Sequence, residues 1–157
     1  MRLREDAETV AGAIRALAEA NGWNNLTVLV EDKGDIIYET QKAINGVGVL
    51  VVVTVDRFAR RANSGQLLTG TLTIDVTASE NVKVNRAKEP YETAQGVAEV
   101  IARALHWKEF GGNFESPLRL ATLEKLYPGP GVTSVALSFL AEYLLEAESQ
   151  KVESLKS

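Results

Sequence analysis

Between Val47 and Val55 the chain carries an almost uninterrupted run of aliphatic residues. Valines at every second position line one face of a strand, while Leu50 and Val52 make the other face apolar as well. A strand that is buried on both faces belongs in the middle of a sheet or in a sheet covered twice. We therefore expect this strand to be central, with its second apolar face covered by a neighbour or by a terminal segment.

The pattern changes to strict alternation of small or aliphatic residues with threonine or aspartate between Leu68 and Ala78. Such alternation is typical of an antiparallel strand that buries one face. The polar segment Asn63-Ser64-Gly65 turns the chain back before this strand begins. The sequence thus predicts a long hairpin of residues 47–56 with 67–78.

Two segments with apolar residues at every third or fourth position, 3–21 and 90–106, predict helices that each bury one stripe. Gly12 inside the first helix suggests that another segment packs closely against it. Leu26–Val30 favours a short strand. Residues 35–43 suit either a short helix or a further strand.

The last third predicts a second hairpin, 118–127 with 132–145, joined by a Pro-Gly-Pro-Gly turn. A terminal helix beginning near Ser138 is the alternative. Residues 148–157 are polar and uncapped, which predicts a frayed tail after a single domain of residues 1–147. The expected fold is α+β, with a mainly antiparallel sheet and two principal helices packed on one face.

Composition removes several kinds of site. The 157 residues are 45% hydrophobic and 24% charged, which is typical of a globular domain. There is no cysteine, so a disulfide framework, a thiolate zinc site and a cysteine nucleophile are excluded. The net charge of −4 disfavours specific nucleic-acid binding, and no apolar run is long enough to span a membrane. We expect a soluble, intracellular protein without a metal or cofactor.

Catalytic patterns are weak. His106 is the single histidine, and its place at the end of the second helix favours a structural role. Two clusters of carboxylate residues could serve a small Asp- or Glu-dependent enzyme. One cluster contains Glu31, Asp32 and Asp35, and the other contains Asp56 and Asp75. Neither group has a companion motif, so we predict no catalytic residues and no enzyme activity.

The strongest candidate surface is basic and lies around the predicted hairpin connection. It contains Arg57, Phe58, Arg60 and Arg61 in a chain that is otherwise acidic. Arginine and aromatic residues are enriched at protein interfaces. We predict that this segment is an arm used in subunit or tail contact, and a solvated hairpin tip is the alternative.

The order of elements, together with the segment 76–86 and the turn beginning at Tyr127, resembles the tail terminator family of long-tailed bacteriophages, including lambda-type terminators and related tail-completion and neck proteins. The resemblance covers about residues 3–145. It implies a virion structural protein of a phage or prophage, assembled in the host cytoplasm as a homo-oligomeric ring, commonly a hexamer. The ring would meet tail tube or neck proteins, and DNA would pass through it. A protein-interaction module outside viruses is the alternative function.

Overall fold

The computed structural model describes residues 2–31, 48–62, 65–82 and 93–145. Within these ranges, seven elements follow one another in the order α1 (Arg2–Ala20), β1 (Leu26–Val30), β2 (Val49–Arg60), β3 (Thr69–Asn81), α2 (Ala94–Leu105), β4 (Arg119–Gly129) and β5 (Val132–Leu144). The strands form one five-stranded sheet in the order β1-β2-β3-β5-β4. Among the described strands, only the β1–β2 pair is parallel, so the predicted, mainly antiparallel α+β fold is confirmed.

Strand β2 lies inside the sheet, as its two-sided apolar character predicts, and it forms the predicted hairpin with β3. The strand continues to Arg60, four residues beyond the predicted end at 56. A β-bulge between Val55 and Arg57 shifts the register, so that Phe58 lies opposite Leu72. Arg57, Phe58 and Arg60 are therefore strand residues, and the prediction that placed them in the connection was wrong.

Both helices pack on the same face of the sheet, as predicted. Their buried residues share one hydrophobic core with alternate residues of the strands; this core includes Val10, Ile14, Val51, Val53, Leu72, Ile74, Val97, Ile101, Leu105, Leu137, Phe139 and Tyr143. The opposite face of β2 is also covered, because Leu50 and Val52 are buried and Val132 packs against them. Val132 belongs to β5 of the same sheet, so it lies beside Leu50 and Val52 on this face.

Two side chains accept hydrogen bonds from the start of α2, and one of them belongs to the sheet. The Thr93 hydroxyl accepts the Gly96 N–H at 3.1 Å, as an N-cap residue does. The buried Glu80 of β3 accepts the Ala94 N–H through its carboxylate at 3.0 Å. A negative charge at a helix N-terminus is stabilised by the helix dipole, so Glu80 joins α2 to the sheet at this end.

Three further predictions have outcomes. The final hairpin is confirmed, and the alternative of a terminal helix from Ser138 is wrong because β5 runs to Leu144. The prediction of close packing at Gly12 is also wrong, because a Cβ there would meet no described atom from another segment within 4 Å. The segment 35–43 and the tail 148–157 lie outside the described residues.

Candidate assembly surfaces

The predicted interface residues lie together at the end of β2, where the sheet holds several of them. The Arg60 guanidinium donates to the Gly65 carbonyl and, at 3.3 Å, to the Leu67 carbonyl. Arg60 therefore closes the connection to β3 within its own chain. The Phe58 ring packs edge-on against Tyr143 with centroids 6.3 Å apart, which makes it part of the margin of the core.

Arg61 pairs with the carboxylate of Glu142 on β5 at 2.8 Å. Arg119 approaches the other carboxylate oxygen at 3.5 Å, so Glu142 lies between two guanidinium groups. Exposed ion pairs of this kind contribute about 0–1 kcal/mol each, so breaking one would cost the fold little. Strand β5 continues to Leu144 opposite Thr69, so β3 has a neighbour along this whole end of the sheet.

On the sheet face opposite the helices, Asp75 lies opposite Thr54 on β2 and Ser138 on β5. Burial raises the pKa of the Asp75 carboxyl above its ordinary value; a hydrogen bond with Ser138 lowers it in part, and the nearby Asp56 raises it again. The two aspartates that the sequence suggested as a pair are therefore near each other, although the strand register places Asp75 opposite Thr54 and leaves Asp56 in the β-bulge. Within the described ranges, three or more potential metal-ligating side chains are nowhere grouped together.

We expect Asp75→Asn to stabilise the protein near neutral pH. Because the pKa of Asp75 is raised in the folded state, the protonated form contributes to the free energy of unfolding. This contribution is fully present below the unfolded-state pKa of 3.8, and it is lost as pH rises through the folded-state pKa. Asparagine stays neutral and keeps a partner for Ser138. The free energy of unfolding, measured in urea, should exceed that of the native chain at neutral pH and match it below pH 3.8. A less stable variant at neutral pH would contradict this account.

His106 ends α2, as the sequence predicts, and its ring holds the start of β4. The Nδ1 atom accepts the Leu120 N–H at 3.0 Å. The next residue, Trp107, has a φ of +70°, and its indole is 64% exposed. A positive φ is unfavourable for a large residue, so the surrounding contacts hold Trp107 at the surface.

A second surface surrounds β4, which is an edge strand of the sheet. The strand is exposed from Ala121 to Pro128, and it carries Leu123 (47% exposed), Leu126 (40%) and Tyr127 (73%). Clusters of exposed apolar side chains at a sheet edge mark contact sites. We name Trp107 with residues 121–127 the β4 edge. This surface was not predicted from the sequence, although Leu123, Leu126 and Tyr127 around the charged pair Glu124-Lys125 were a visible signal.

No described helix has the length and apolar character of a membrane span. The chain matches no protein-family model, and it has no match among curated proteins. Among solved structures, it is similar to a chain from the virion of a native gene transfer agent (GTA) particle. That similarity has 13% sequence identity and a TM-score of 0.49, and it covers 62% of this chain and 69% of the other.

Proposed function

We propose that this protein is a structural subunit of a phage or prophage tail that forms a ring at the end of the tail tube or at the head–tail neck. The observation that carries the proposal is the order of elements. Helix, strand, long hairpin, helix and final hairpin follow one another in the described residues, in the order on which the resemblance to tail terminators depends. Two exposed surfaces, the end of β2 and the β4 edge, offer contacts for neighbours in such an assembly.

The ring contacts belong to the end of β2. A ring needs a head-to-tail interface in which two different patches of each subunit meet. Arg57 and Arg60 are exposed there in a protein with net charge −4, so an acidic patch of the next subunit is a suitable counterpart. The proposed partners are other copies of the chain, most simply six, and tail tube or neck proteins.

The proposal is tested by measuring mass in solution, alone and with a candidate tail tube protein. We expect a closed oligomer of defined size, formed by the chain alone or on addition of the tube protein. Light scattering or sedimentation would measure it. A chain that stays free of tube and neck proteins and never forms a closed oligomer would refute the tail assignment.

Changing Arg57, Arg60 and Arg61 together to serine should weaken this assembly and leave the fold intact. The fold should survive because these side chains make exposed contacts, including the Arg61–Glu142 pair. We expect at least a tenfold weaker association, and the effect should shrink as salt screens the charges. Sedimentation would measure assembly, and circular dichroism would check the fold.

The matched control removes three positive charges elsewhere, by changing Arg4, Arg103 and Lys108 to serine. These residues are exposed on the helices and on the loop after α2. This control should assemble like the native chain. Equal loss in both variants would show that net charge, and not this surface, determines assembly.

A further inference from the structure

The β4 edge has backbone groups that no described strand satisfies, and their positions follow from hydrogen bonds at both ends of the sheet. In antiparallel pairs, alternate residues direct both backbone polar groups to the same side. On β5, the Glu142 N–H donates to the Ser116 hydroxyl and the Leu144 N–H to the Asn113 carbonyl. Even-numbered residues of β5 therefore direct their backbone N–H and C=O groups towards β4. Odd-numbered residues direct these groups towards β3.

This alternation identifies the open positions of β4. Leu123 lies opposite Leu137, and Lys125 lies opposite Val135. Because those β5 residues bond to β3, Leu123 and Lys125 direct their N–H and C=O groups away from the sheet. Glu124 lies opposite the even-numbered Ala136, so its backbone groups point inwards.

The edge of the sheet just before residues 121–127 is already occupied by the turn after α2. The Trp107 N–H donates to the Leu118 carbonyl at 2.6 Å, and the Leu118 N–H donates to the Lys108 carbonyl at 2.9 Å. With the His106 contact to Leu120, this turn covers the edge up to residue 120. Beyond it, no residue in the described part of the chain pairs with the outer side of the stretch 121–127.

Lysine often protects edge strands, because its charge resists pairing with another strand. Here the Lys125 side chain is turned back: its ammonium group donates to Gln95 of α2 at 3.3 Å and lies 5.8 Å from the centre of the Tyr127 ring. That position leaves the open backbone of residues 121–127 accessible.

We infer that β4 pairs antiparallel with β4 of a second copy of this chain, around a two-fold axis that passes between the two Leu123 residues. The inference goes beyond the proposed ring, because a two-fold contact closes after two copies. It would make a dimer of the free protein or join two rings face to face.

Charge favours this register over those centred on the next two residues. A two-fold centred on Glu124 or on Lys125 would set two like charges directly opposite each other, which is destabilising. Centred on Leu123, the pairing sets Glu124 opposite Thr122 of the second copy, and Lys125 opposite its Ala121. The open backbone groups of Leu123 then bond to those of Leu123 in the second copy. The two Leu123 side chains become buried against each other.

The aromatic residues support the same register. In this register, the end of β4 of the second copy would meet the turn at Trp107, whose N–H donates to the Leu118 carbonyl. That arrangement brings Trp107 of each copy close to Tyr127 of the other, and both are more than 60% exposed in the single chain. Contacts between aromatic residues contribute about 0.5–1.5 kcal/mol beyond the area they bury, and the two-fold would make this contact twice.

Single cysteines test the axis directly, because the chain has none of its own. In Leu123→Cys the two Cα atoms would be about 5.5 Å apart, which a disulfide spans. The matched control is Leu126→Cys, at a similarly exposed position of the same strand. Its two Cα atoms would be roughly 20 Å apart, at about 3.4 Å per residue.

Under mild oxidation, we expect L123C to give at least tenfold more covalent dimer than L126C on non-reducing gels. Equal cross-linking of both variants, or none in L123C, would overturn the inference. The native chain gives an independent readout by amide hydrogen exchange. Protection at Leu123 and Lys125 should rise with protein concentration while protection at Glu124 stays constant, and no rise would also overturn it. Neither measurement depends on the arginines at the end of β2, so a failed ring and a failed dimer are distinguishable.

Discussion

Phe139→Ala is expected to lower the free energy of unfolding by about 3–5 kcal/mol. The Phe139 side chain is fully buried on β5, between Ile74 of β3 and Leu120 of β4. Paired strands on both sides limit how far the surroundings can collapse into the cavity, and a cavity that stays open costs more. Urea denaturation, followed by circular dichroism, would measure the loss.

Leu126→Ala is the control for this change, since it shortens a half-exposed side chain on the neighbouring strand. It should cost less than about 1 kcal/mol in the monomer. If Phe139→Ala lowered the free energy of unfolding no more than this control does, Phe139 would not be packed in the core as the structure shows.

Gly70→Ala is expected to destabilise the protein by about 3 kcal/mol or more, because the backbone of β2 occupies the space that a side chain needs. A Cβ built on Gly70 would lie 2.0 Å from the Ala59 carbonyl oxygen. That neighbour is backbone inside the β2–β3 hairpin, so it cannot move aside as a flexible side chain would. Thermal unfolding would show a large fall in melting temperature.

The same substitution at Gly12 should have the opposite sign. No atom lies within 4 Å of a Cβ at this position in α1, and alanine favours a helix over glycine by about 1 kcal/mol. Two glycine-to-alanine changes would thus separate steric conflict from helix propensity. A small effect at Gly70 would mean that β2 and β3 are further apart there than the structure shows.

The elements of this fold were predictable because their periods are clear. Alternation marked β3 and β5, and the three-to-four residue spacing marked both helices. The end of β2 was not predictable, because the bulge after Val55 exchanges the two faces and interrupts the alternation that defines a strand. The position of Phe58 against Tyr143 depends on that single inserted residue.

The candidate surfaces were harder to foresee because they depend on strand order. The partner of Arg61 is 81 residues away in sequence, and no local pattern selects Glu142 over another acidic residue. Likewise, the final hairpin could have joined the sheet through either strand. Its second strand, β5, pairs with β3, and this choice leaves β4 at the edge. Composition indicated that arginine and aromatic residues could form an interface. It did not indicate which strand exposes its backbone at the edge of the sheet.

The position of β5 also sets the timing of folding during synthesis. The Tyr143 hydroxyl donates to Asp6, a contact between residues 137 positions apart, and β5 completes the core between β3 and β4. At about 5–20 residues per second, α1 leaves the ribosome roughly 6–25 s before this contact can form. Until then β3 presents an unpaired edge of 13 residues, longer than any edge of the finished sheet. The nascent chain, more than the completed one, is therefore the form in which neighbouring copies on a polysome would associate wrongly.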